Sequence, residues 1–177
     1  MMISAKTREQ VRLRANYACE FCGVTETDTG GELTIDHFQP LAKGGNDDPD
    51  NLIYCCHRCN QYKQDYWQSS QNDPALWNPR LEPSNVHFLE AEDGTIHPLT
   101  QTGSFTIKRL RLNRPPLVAF RLRRKHRDEE IRLLTRYQEI VKLLTQLDTQ
   151  LSLVTDEQRQ LLEEQRELLR LLLGRRI

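Results

Sequence analysis

Apolar residues recur along this chain at two periods, and the change of period divides it. From Leu33 to Phe38 the side chains alternate apolar and polar, as in a half-buried strand, and Leu52 to Cys55 offers a second short strand. Near the start, Val11 and Ala15 share one helical face behind Thr7 and Gln10, which fit a capping box, so a helix is expected there. His57 to Trp67 reads as a helix. Gly30-Gly31 reads as a turn, and Pro40 to Asn51, with Gly44-Gly45, Asp47, Asp48 and Pro49, as a polar loop. Residues 72–83 hold three prolines and predict irregular chain. Asp93-Gly94, between Val86–Glu90 and Thr95–Leu99, is a strong hairpin signal. Phe105 to Leu112 reads as a short helix ahead of Pro115-Pro116.

After those prolines neither Gly nor Pro occurs until Gly174, so Leu117 to Leu173 is expected to be helical. Leu133, Tyr137, Ile140, Leu144, Leu147, Leu151 and Val154 alternate spacings of four and three, a heptad seam. The register continues through Gln158, Leu161, Gln165, Leu168 and Leu172. Thr155 to Gln158 also fits a capping box, which leaves open one long helix or a pair broken near Thr155. A lone helix cannot hide such a seam. It must pack on the rest of the chain, on its own end folded back, or on a second copy, and a homodimer is the expectation. The pattern as a whole predicts an α+β chain in three parts: a core over residues 1–72, an appended hairpin and short helix over 73–115, and a coiled-coil-like helical arm over 116–177.

Charge alters this picture at one place. The formal net charge is +0, yet residues 111–127 hold seven basic and no acidic side chains. The wider run is Lys108, Arg109, Arg111, Arg114, Arg121, Arg123, Arg124, Lys125 and Arg127. One reading is a solvated helix face. The other is a phosphate partner, because unscreened like charges repel and arginine suits bidentate phosphate contacts. No apolar run is long enough for a membrane span, so no membrane partner is expected. Met1 to Ala5 lacks the apolar stretch of an export signal. The expected location is a reducing cytoplasm, where paired cysteines mark metal more often than disulfides.

Two such pairs are present, Cys19-Glu20-Phe21-Cys22 and Cys56-His57-Arg58-Cys59, separated by 33 residues. Each two-residue gap lets both thiolates reach one ion, and together they supply the four soft ligands of a structural Zn²⁺. The alternative is four buried free thiols. Cys55 leaves a three-residue gap to Cys59 and reads as a small buried strand residue. Between the pairs stands Asp36-His37, with Asn51 and Asn60 downstream. Alone, an Asp-His pair is usually surface decoration. In a regular strand the two side chains also point to opposite faces, so convergence needs a bulge or a strand end. His57, His87, His97 and His126 read as surface or packing residues.

In this order the residues resemble the HNH endonuclease family: Cys19/Cys22, Asp36-His37, Pro40, Gly44-Gly45, Asn51-Leu52, Cys56/Cys59, Asn60 and Lys63, over roughly residues 8–68. The stretch from Asn78-Pro79-Arg80 through His87-Phe88 to Leu112-Asn113-Arg114 is more weakly similar to a tail found after this motif in bacterial members. The resemblance implies a zinc-stapled ββα-metal core and an endonuclease that nicks or cuts DNA, expected to be double-stranded. His37 would be the general base. Asp36 and Asn60 would bind a catalytic Mg²⁺ or Mn²⁺, and Asn51 would brace the loop that orients His37. Lys63 and the basic run would contact nucleic acid. Asn60 stands where the family name implies a third histidine, and its oxygen favours Mg²⁺ over Zn²⁺ as the working metal. Two other classes stay open: a zinc-dependent nucleic-acid-binding module without catalysis, and a coiled-coil interaction protein.

Overall fold

The computed structural model describes residues 3–70 and 72–174, with side chains through Leu171. Met1, Met2, Gln71 and residues 175–177, which the three expected parts include, lie outside the described residues. So do the side chains of Leu172 and Leu173, where the heptad seam was expected to end. The described chain forms two compact units, one through Lys125 and one from His126 onward.

The first helix, α1 (Ala5–Arg14), is capped by Ser4, whose side chain accepts from the Thr7 amide at 3.0 Å. Thr7 was expected to begin the helix and instead lies within its first turn, because the serine three residues earlier offers the better-placed acceptor. Val11 on this helix is fully buried. A tight turn follows in which Ala18 pairs with Thr25, and α2 (Glu26–Thr29) is held by a Thr25–Asp28 capping box.

Strands β1 (Thr34–His37) and β2 (Leu52–Cys55) pair antiparallel, from Thr34 opposite Cys55 to His37 opposite Leu52. All four residues of β2 are buried, so it shows no alternation, while β1 is half-buried. Helix α3 (His57–Lys63) completes a ββα unit. It stops four residues short of the expected Trp67, because the chain turns at Gln64, whose φ is 56°. Trp67 packs edge-on against Phe38 instead, with ring centroids 6.0 Å apart.

Beyond the irregular stretch come α4 (Ser84–His87), β3 (Phe88–Glu90), β4 (Ile96–Pro98) and α5 (Gln101–Arg109). The hairpin forms around Asp93-Gly94 as expected, but Val86 and His87 sit in a helical turn after Pro83 rather than in the strand. Helix α5 begins four residues before Phe105, capped by Thr100. Gly94 is required twice over. Its φ is 77°, and an added Cβ would lie 2.8 Å from the Val118 carbonyl oxygen.

That close approach seats the hairpin turn on α6 (Pro115–Gly174), whose first eleven residues belong to the first unit. Pro115 and Pro116 open the helix where missing N–H groups cost nothing. Three further residues fasten the hairpin to this region. Asn113 behaves as an extra strand residue, accepting from the Ile96 amide and donating to the Ile96 carbonyl, both at 2.8 Å. Leu112 fills the core. Arg121, only 4% exposed, donates to the carbonyls of Gly94 (2.7 Å) and Leu112.

In the second unit α6 runs unbroken past Thr155. The expected cap there does not form, because the Thr155 hydroxyl donates back to the Leu151 carbonyl at 2.8 Å. The seam residues from Leu133 to Val154 are all exposed. Among the described residues no helix is long and apolar enough to cross a membrane.

Candidate functional site

The four cysteines converge. The sulfurs of Cys19, Cys22, Cys56 and Cys59 all lie within 4.8 Å of one another, and Cys22 Sγ is 3.8 Å from Cys56 Sγ. Thiolates at ~2.3 Å from a tetrahedral ion stand about 3.8 Å apart, so the donor set fits zinc in both chemistry and size. Local structure explains the convergence. In the first pair the Cys19 amide donates to Val24 and the Gly23 amide returns to Cys19, closing a tight knuckle. In the second, Cys56 caps α3 and its sulfur accepts from the Cys59 amide at 3.4 Å, which places thiolates at a helix N-terminus.

Hydrogen bonds among the sulfurs divide them. Cys56 is held well below an ordinary thiol by bonds to Cys19, Cys22 and Cys59, and Cys22 is lowered by its bond to Cys19. Burial pushes Cys19 up, and bonds to Cys19, Cys22 and Cys56 push Cys59 up. Cys55 stays outside the cluster, with its sulfur 3.8 Å from Thr34 Oγ1 and its thiol raised by burial.

Beneath the knuckles lies a polar network. Glu20, within the first pair, accepts from the Tyr54 amide at 2.7 Å and from Arg80 at 3.2 Å. The Tyr54 hydroxyl donates to Glu26 at 2.5 Å and receives the Leu33 amide at 2.9 Å. Arg12 donates twice to Glu26, at 2.7 and 2.8 Å, and with Tyr54 holds its carboxyl down to about 2.

The strand β1 presents its chemistry on two faces. Thr34 and Asp36 share the face covered by α3. Asn60 Nδ2 donates to Thr34 Oγ1 at 3.4 Å, and its side-chain oxygen accepts no hydrogen bond among the described residues. One turn later Lys63 Nζ lies 2.8 Å from Asp36 Oδ2 and donates to the His37 carbonyl, also at 2.8 Å. The expectation that Lys63 contacts nucleic acid is corrected here: its side chain is 0% exposed and closes this network from within. β1 pairs without a bulge and ends at His37. The imidazole meets the following loop, with Nε2 2.8 Å from Asp47 Oδ1.

Asn51 shapes that loop. Its Oδ1 accepts from the Gln39 amide at 2.8 Å, and its Nδ2 donates to the carbonyls of Gln39 (3.0 Å) and Asn46 (2.8 Å). The backbone passes so close that a Cβ at Gly45 would sit 1.9 Å from the Gln39 carbonyl oxygen. Glycine there lets the loop fold back and deliver Asp47 to His37.

The basic run separates into inner and outer members. Arg109 donates to the Lys63 carbonyl at 2.9 Å, Arg121 is buried on carbonyls, Arg124 pairs with Glu90 at 2.6 Å and Lys125 with Glu92 at 2.5 Å. Arg114 Nη2 lies 3.6 Å from Cys59 Sγ and 3.9 Å from Cys56 Sγ. Burial opposes its charge, but the cysteines outweigh burial and raise its pKa. Lys108, Arg111, Arg123, Arg124 and Arg127 are exposed, with Arg111 stacked 4.8 Å above the Tyr62 ring. The acids that engage this run stand elsewhere in sequence, so the charges along the run could not reveal them.

Sequence reasoning does not find Asp47 or the inward turn of Lys63. Asp47 is one acid among several in a polar loop. Lys63 carried a signal: three residues after Asn60 it shares that residue's helix face.

The family model described as HNH endonuclease matches residues 19–65, which hold both cysteine pairs, Asp36, His37 and Asn60. A curated relative, the CRISPR-associated endonuclease Cas9 of Corynebacterium diphtheriae, is 33% identical over 126 residues, 70% of this chain and 11% of that protein. The chain therefore spans about a tenth of that relative's length. No solved structure matches significantly.

Proposed function

We propose, from the HNH endonuclease domain at residues 19–65, that this chain is a metal-dependent endonuclease hydrolysing phosphodiester bonds in duplex DNA. The observation that carries the reading is the His37–Asp47 pair at the end of β1, next in sequence to Asp36, whose carboxylate meets Lys63 one helical turn after Asn60. His37 is the general base. With Nε2–H donated to Asp47, the lone pair at Nδ1 is left to take a proton from the attacking water, and the carboxylate stabilises the imidazolium that results. Asp36 and Asn60 would hold a catalytic Mg²⁺ or Mn²⁺. One carboxylate and one amide oxygen suit an ion that keeps waters and takes its remaining ligands from phosphate. Such an ion, when bound, polarises the scissile phosphate and stabilises the leaving oxygen. Lys63 fixes the Asp36 carboxylate and the His37 backbone together, and Asn51 with Gly45 keeps Asp47 in place.

Zinc on Cys19, Cys22, Cys56 and Cys59 is structural in this reading, and the thiolates imply a reducing, cytoplasmic setting. The exposed Lys108, Arg111, Arg123 and Arg127 contact DNA phosphates. The seam from Leu133 to Val154 joins two copies, so that two single-strand cuts can be made on one duplex. A binding module without catalysis would have no use for a carboxylate-held histidine or for a buried lysine at Asp36.

Incubating supercoiled plasmid with the chain tests the reading. Nicked circles are expected with Mg²⁺ or Mn²⁺ and none with chelator. Intact plasmid under every metal condition would overturn it.

A further inference from the structure

We infer that Arg114 is an outer-sphere partner of the four-cysteine metal site, fastening the second knuckle to the segment between α5 and α6. The inference rests on reading the cluster as a zinc site. Arg114 stands 55 residues beyond Cys59, outside the segment 19–65 that holds the ligands. Its Nη2 nevertheless reaches the sulfurs of both Cys59 (3.6 Å) and Cys56 (3.9 Å). The other end of the same guanidinium is anchored: Nη1 donates to the carbonyls of Leu110 at 3.0 Å and Arg111 at 3.3 Å, where α5 ends. The Tyr62 ring, from α3, packs 5.6 Å below it.

Charge explains why the site needs this contact. Zn²⁺ with four thiolates carries two net negative charges, here set among buried residues. A charge in such surroundings is costly unless it is paired and hydrogen-bonded. Arg114 offsets one of the two and does so from one side only, through the knuckle that caps α3. Outer-sphere partners of this kind orient ligands and tune how tightly the metal is held. The contact also runs the other way. With zinc bound, Arg114 is drawn to the thiolates and holds the end of α5 and the first turn of α6 against the core. Zinc loading and docking of residues 110–118 become one event.

The test uses the full chain loaded with zinc, titrated with a chromophoric chelator, in wild type, Arg114→Gln, Arg114→Lys and Arg111→Gln. Arg111 is the control, since it stacks on the same Tyr62 ring without touching sulfur. Arg114→Gln should weaken zinc binding about 10- to 100-fold. Arg114→Lys should fall between it and wild type, because a point charge cannot reach sulfur and carbonyls at once. Arg111→Gln should stay within about twofold. Two readouts are independent of folding yield. Cobalt-substituted Arg114→Lys should show its thiolate-to-metal charge-transfer band at lower energy than wild type, and stripping zinc from wild type should speed amide exchange at 110–118. Equal zinc affinity and an unmoved cobalt band in Arg114→Lys and wild type would overturn the role of Arg114. A wild-type chain that takes up no zinc would instead overturn the metal-site reading itself.

Discussion

Through Lys125 the chain turns charge inward. From His126 it turns apolar surface outward. In the first unit Lys63 is buried on Asp36, Arg121 on two backbone carbonyls and Arg114 on sulfur, so that polar groups close the structure. In the second, Leu133, Tyr137, Leu144, Leu147 and Leu151 are each more than half exposed along a regular helical seam. Small domains with limited cores rely on metal and specific polar contacts. A heptad helix relies on another helix, because its stability comes from the face it buries. The first unit thus buries its charges, while the second leaves exposed the apolar seam through which a second copy is proposed to pack.

Metal removal should separate the two most sharply. Structural zinc contributes on the order of 10–16 kcal/mol of apparent binding energy, so Cys59→Ser or chelation should unfold the ββα unit. Cys55→Ser should keep the metal. Zinc analysis with circular dichroism checks both, and a Cys55→Ser chain that loses zinc would break the ligand assignment.

Lys63→Met should come next. It leaves the Asp36 carboxylate without its buried partner, at a cost on the order of 3 kcal/mol in denaturant unfolding. A change below about 0.5 kcal/mol would mean that the pair is as weak as a surface ion pair. Acid sharpens the same point. Glu26 is held down to about 2 by Arg12 and Tyr54, so its contribution is present above the ordinary carboxylate range and is lost as pH falls toward about 2. Thermal melts from pH 6 to pH 2 should show a shallower decline for Glu26→Gln than for wild type.

Smaller effects belong to the surface. Replacing Lys108, Arg111 and Arg123 with Gln should reduce the salt dependence of DNA binding by roughly 0.9 in log–log slope for each phosphate no longer neutralised. Arg121→Gln should instead lower stability, because its guanidinium is buried on carbonyls. Leu144→Glu with Leu147→Glu should leave the first unit's melting unchanged and convert a dimer to a monomer in sedimentation. Wild type that sediments as a monomer at micromolar concentration would contradict the seam's proposed partner.

How much of this was legible follows from how local each signal is. The cysteine spacing, the alternation from Leu33 to Phe38 and the Asp93-Gly94 turn are readable because a few neighbouring residues carry them. Cap positions were less secure: Ser4 displaced Thr7, and Thr155 bonded backward within its helix. Asp47, Arg114 and the burial of Lys63 depend on chain returning from a distance, which no local pattern records. The partners of the run from Lys108 to Arg127 were hidden for the same reason. Its counter-charges are Glu90 and Glu92 in the hairpin, and its other inner partners are sulfur and carbonyl oxygens.

The most direct measurement of the central claim is single-turnover DNA cleavage by wild type and His37→Ala, run with Mg²⁺ at protein concentrations saturating for both. The account predicts that His37→Ala binds DNA with near wild-type affinity and cleaves at least about 100-fold more slowly, the scale of a missing general base. Cleavage by His37→Ala within a few-fold of wild type would contradict it.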